Sequence, residues 1–207
     1  MSASLRMLRM LLVLSLAARA AGAQDARLAR RLDKPTYIAV NAIVDSARMA
    51  KLPTAPLVDK ALEGAAKGSD GRKIVAAVHQ LSLRMAVSRR ALGSGSTGDE
   101  IKAGASALGA GMTEHDLQLL RVAAGKRQVT MPLAVAIDLI GRDVPVATAS
   151  TLVIQLARSG VKDADLALFQ RNVRADIDRG ADPTVAATTR ARGLVLESRG
   201  PSTRPSE

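Results

Sequence analysis

The side chains in this sequence that could carry chemistry are few, and their spacing suits none of the common reactions. Its 207 residues include two histidines and no cysteine. The missing thiols exclude a cysteine nucleophile, a disulfide framework, a thiolate metal site and a lipid-attachment cysteine. His79 and His115 each fall in a predicted helix with no second histidine four residues away, so neither can form a two-histidine metal pair on one helix face. His79 lies beside an apolar stripe, as an ordinary helix-face residue would. His115 stands between Glu114 and Asp116, but consecutive helix positions do not face one another. Those acids better serve the positive helix start that follows Thr113.

The carboxylates give an equally thin signal. Asp176, Asp178 and Asp182 alternate with other residues around Gly180, which superficially suggests a calcium loop. Such a loop needs Gly at its sixth position and Glu at its twelfth. Counted from Asp176, Gly180 is fifth and Ala187 twelfth, so helix-end carboxylates and an Asp182 cap explain the segment better. Asp59 and Glu63 are four apart on one predicted helix, where a solvated face is the default. Gly93-Ser94-Gly95-Ser96 resembles a nucleophile elbow in letters only, because no strands flank it. Gly-rich phosphate loops ending in Lys and Ser or Thr are absent. No catalytic, cofactor-binding or metal-ligating residue is assigned, and the sequence points away from an enzyme.

The elements that would position any site are helical. The chain is 47% hydrophobic, but this comes from Ala, Leu, Val, Ile and Met, with Tyr37 and Phe169 the only aromatics. Side chains of that size suit closely packed helices better than a sandwich or barrel. Apolar stripes at steps of three or four residues run through Ile74, Val78, Leu81 and Met85, through Leu133, Ile137 and Ile140, and through Leu166, Phe169, Val173 and Ile177. The pattern predicts helices near 36–50, 55–66, 71–92, 99–109, 114–124, 132–141, 146–158, 164–179 and 184–197. Between them a glycine recurs before a short turn and a capping residue, as in Gly68-Ser69-Asp70, Gly111-Met112-Thr113, Gly160-Val161-Lys162-Asp163 and Gly180-Ala181-Asp182-Pro183, with Asp143-Val144-Pro145 a looser version. The marked turns at 68, 111, 143, 160 and 180 show no fixed period. The expected fold is all-α, with short antiparallel helices joined by tight Gly/Pro turns into a helical-hairpin array or compact bundle. Its logic is that of an α-solenoid without the tetratricopeptide or ankyrin signature residues.

Residues 1–23 read as a secretory signal peptide. Arg6 and Arg9 precede the uncharged run Met10 to Ala18, and Ala21-Gly22-Ala23 fits a signal peptidase site before Gln24. The run is about half of the roughly 20 residues that a membrane anchor needs. No later stretch is long and apolar enough to span, so the expectation is an exported periplasmic or extracellular chain with no transmembrane segment after cleavage. The remaining organisation is expected to be a helical subdomain at 24–92, a Gly/Ser linker at 93–98, a second helical subdomain at 99–197 and a disordered Pro-, Ser- and Arg-rich tail at 198–207.

The formal charge of +11 falls to about +8 once the leader's three arginines are removed. That balance attracts anionic lipid or polymer surfaces through salt-screened forces. Nucleic acid is disfavoured because almost no aromatics are available to stack bases and the cations are scattered. Flat rings for a carbohydrate groove are equally scarce. The leading expectation is a non-catalytic protein-interaction or scaffold module of the cell envelope, whose partner is a protein. The alternative is a basic protein that binds anionic lipid or polymer, and an enzyme of unknown type stands behind both.

Overall fold

A computed structural model describes residues 26–198. The expected leader, residues 1–23, lies outside the described residues, as do the tail positions from 199 onward. Nine long helices follow a helical turn at 26–29 within the described part: α1 (Lys34–Met49), α2 (Ala55–Ala66), α3 (Gly71–Leu92), α4 (Gly98–Gly109), α5 (Glu114–Ala124), α6 (Thr130–Ile140), α7 (Val146–Arg158), α8 (Asp163–Asp178) and α9 (Pro183–Ser198). No strand occurs among the described residues. Ser198, expected in the tail, is the last residue of α9.

Local chemistry sets the helix limits. Asp33 caps α1 by accepting the Thr36 N–H at 2.8 Å, and Asp182 caps α9 by accepting the Val185 N–H at 2.9 Å. Thr97 with Glu100 and Thr113 with Asp116 form reciprocal capping boxes at α4 and α5, so two otherwise orphaned donors are satisfied at each start. At the helix ends the residue in the left-handed region is Gly68, Gly111, Gly160 or Gly180, but Lys51 and Asp143 take the same role with φ of 56° and 66°. In each case the following N–H reaches back over the last turn, as from Met112 to Ala107 O at 3.0 Å and from Val144 to Leu139 O at 3.1 Å. That is the Schellman arrangement. Met112, Val144 and Val161 fold back into the core, whereas Ala181 stays exposed.

The described residues form two compact units that divide between Leu83 and Arg84. The division falls inside α3 and not at 93–98. The last turns of α3 account for this: Ala91 and Leu92 belong to the core of the second unit. The Gly/Ser stretch is itself a defined turn, in which the Ser96 hydroxyl donates to Gly93 O at 2.7 Å and Thr97 opens α4.

In the first unit, Leu28, Val40, Val44, Leu57, Val58, Ile74 and Val78 are buried together in the interior. In the second, α4 packs on α6, α5 on α7, α6 on α8 and α7 on α9, while α6–α7 and α8–α9 form hairpins. From α4 to α7 each helix thus contacts the one two places along. Helix starts at Gly98, Glu114, Thr130 and Val146 recur every 16 residues before lengthening at Asp163 and Pro183. The sequence hides this period because the turn after α5, Gly125-Lys126-Arg127-Gln128, is polar and lacks the apolar residue directly after its glycine.

Candidate functional site: an apolar groove between two helices

Helix α1 is apolar over more of its circumference than it buries. Thr36, Val40, Val44 and Ala47 form its buried face, yet Ala39 and Ile43 beside that face are only half-buried and Ile38 is 57% exposed. Helix α3 does the same: Ile74 and Val78 are buried, while Val75 is half-buried and Ala76 exposed. The starts of the two helices meet at one point. A Cβ added to Gly71 would stand 2.0 Å from Thr36 Oγ1 and 3.4 Å from Asp33 Oδ2. Only a residue without a side chain lets α3 begin there.

From that meeting point α1 and α3 border an open groove of about 520 Å³. Pro35, Ala39 and Ile43 line one wall, and Val75, Ala76 and His79 line the other, with Arg72 at the rim. His79 is therefore a groove residue, a placement that its isolated position in the sequence did not suggest. The charge of the described part of the first unit is one-sided. Residues 26–83 hold ten Lys and Arg against five Asp and Glu, and four of those acids are engaged locally. Asp33 accepts the Thr36 N–H, and this hydrogen bond holds its carboxyl below the usual range. Asp45 pairs with Arg48, and Asp70 accepts the Arg72 N–H at 2.9 Å. Glu63 takes hydrogen bonds from Lys67 and, at 3.0 Å, from Lys60, which together pull its pKa down to about 2, with the Lys67 bond the larger cause. Over residues 26–83 the cations thus outnumber the carboxylates.

No family model, curated protein or solved structure matches this chain. The chemistry of its own residues has to carry the functional argument.

His115 is exposed on α5, in the other unit from His79. Asp176 binds Arg190 through two hydrogen bonds of 2.7 and 3.0 Å and also Arg179. The Arg190 bond is the main cause of its lowered pKa. Among the described residues no three or more His, Cys, Asp or Glu side chains gather where a metal ion could sit.

Glu100 is the buried charge that sequence reasoning missed. It is 2% exposed and accepts the Thr97 N–H at 2.9 Å, the Val129 N–H at 3.0 Å and an Arg121 Nη1 donor at 3.4 Å. Arg121 in turn donates to Arg127 O, and Arg127 donates to Ala157 O and Val161 O. This relay ties α4 and α5 to the C-terminal end of α7, so its role is to fix the stack. Thr97-x-x-Glu100 was its legible signal, because that spacing is the capping-box signature.

Proposed function

We propose that this chain is an exported, non-catalytic protein-interaction module, and that the groove between α1 and α3 receives an amphipathic helix of a partner protein. The observation that carries the reading is the apolar wall of Ala39, Ile43, Val75 and Ala76 left open to solvent beside the point where Gly71 brings the helix starts together. Such a groove gains free energy by covering apolar area, at roughly 25 cal/mol per Å². Pro35 to Ile43 covers about 12 Å of α1 at 1.5 Å per residue, which matches about two turns of a partner helix with anchors at steps of three and four. Arg72 on the lining of the groove, exposed to solvent, favours a partner whose apolar stripe is flanked by Asp or Glu. Export is supported by Arg6 and Arg9 before the apolar run and by Ala21-Gly22-Ala23 ahead of Gln24. No described helix is long and apolar enough to cross a membrane.

A photoreactive residue placed at Ala39, with a second chain carrying it at the exposed Val122 of α5 as control, tests this in the cells that make the protein. The Ala39 chain is expected to trap one envelope protein through an apolar helix bearing carboxylates, and the recovered chain is expected to begin at Gln24. The same products from both positions, or lipid adducts alone, would contradict the docking role. An intact leader would contradict export.

A further inference from the structure

Away from the groove, three arginines surround a second cavity of about 460 Å³ in the first unit. We propose that Arg27, Arg30 and Arg31 bind the phosphate of a phosphate ester, whose carbon portion rests on the cavity wall formed by Leu62 and Ala66. Arg27, Arg30 and Arg31 occur at the i, i+3, i+4 spacing that gathers side chains on one side of a helical turn. The turn is anchored, because Leu28 is fully buried and its carbonyl accepts the N–H groups of Arg31 and Leu32 at 3.1 and 3.0 Å. The cations are therefore presented from a fixed base to a site facing α2.

Among the described residues no carboxylate is given to their charge. All three are exposed, and no ion pair within the described residues engages them. Glu63, the acid of α2 nearest in sequence to the wall residues, is already held by Lys60 and Lys67. The arginines are not needed to cap the end of α2 either: the carbonyls of Glu63, Gly64 and Ala65 receive the backbone N–H groups of Lys67, Ser69 and Gly68 at 3.0–3.1 Å. Three guanidiniums on one cavity, with no carboxylate paired to them among the described residues, match the planar and bidentate demands of a phosphate better than a single carboxylate does. The apolar wall distinguishes an ester from the bare ion.

Two probes separate a soluble ester from a lipid head group: butyl phosphate, and vesicles of equal parts phosphatidylglycerol and phosphatidylcholine compared with phosphatidylcholine alone. Binding is measured at low salt on protein purified from the cells that make it. Replacing Arg27, Arg30 and Arg31 together by Gln should weaken the bound probe at least about tenfold, since each charge-assisted bond contributes roughly a factor of ten or more. A charge-matched variant with Lys126→Gln, Arg171→Gln and Arg192→Gln should bind as the wild type does. Ala66→Glu, which adds a carboxylate at an exposed wall position and leaves the arginines intact, should cause a comparable loss and decides the matter if the triple variant does not fold. Binding of butyl phosphate assigns a soluble ester, and binding of the acidic vesicles alone assigns a lipid head group. Equal losses in both triple variants, full binding by Ala66→Glu, or no binding of either probe would overturn the proposal.

Discussion

At the scale of single residues, the interior of the second unit is packed closely enough for single atoms to matter. Gly104 is buried against α3, where a Cβ would stand 2.1 Å from Ser88 Oγ and 3.0 Å from Leu117 Cδ2. Gly104→Ala should cost about 1–3 kcal/mol through overpacking. The Ser88 hydroxyl is buried without a hydrogen-bond partner, so Ser88→Ala should be nearly neutral and should recover part of that cost in the double variant. Urea unfolding of the four chains checks the cycle, and strict additivity would contradict it. Glu100→Ala should cost about 3 kcal/mol or more, because it strands Arg121 and the buried Val129 N–H. Glu63 supplies a pH dependence. Its carboxyl falls from an ordinary 4.5 to about 2 in the folded protein, so the stabilisation is complete above about 4.5 and is lost as pH falls toward 2. Melting temperature should therefore drop less steeply across that window in Glu63→Gln than in the wild type; parallel curves would contradict this.

Elements were the most legible level of the sequence, for physical reasons. A left-handed glycine and a capping side chain are local signals, so the helix limits expected from Gly68, Gly111, Gly160 and Gly180 fall within two residues of those observed. The period of the second unit was not legible, because Asp143 takes a glycine's role at one turn and the polar run 125–128 masks another. The division inside α3 was hidden too: Ile74, Val78 and Met85 form one continuous stripe, and nothing local marks where its packing partners change. The groove could not be read at all, since which apolar face of α1 remains uncovered is decided by the approach of Gly71 to Thr36. The turn chemistry is open to direct test. Gly160 has φ 77° and free space around it, so Gly160→Ala should cost about 1–2 kcal/mol from backbone conformation alone. Asp143→Gly should stabilise by up to about 1 kcal/mol, less the added freedom of the unfolded chain. Opposite signs in thermal unfolding are expected, and a stabilising Gly160→Ala would refute the assignment.

For the whole molecule, the distribution of chemistry argues for recognition. The second unit uses the buried Glu100 and the Arg121–Arg127 relay to tie its helices together. The first unit holds an apolar groove and, on another cavity, a cluster of three arginines. The most direct test of the docking claim is the yield of partner captured by tagged chains in native cells. Ala76→Glu places a carboxylate in the groove at an exposed position, and Val122→Glu places one on α5, where Val122 is 79% exposed. With helicity unchanged in both, Ala76→Glu should lose the partner trapped through Ala39 while Val122→Glu keeps it. Undiminished capture by Ala76→Glu would contradict the groove as the docking surface.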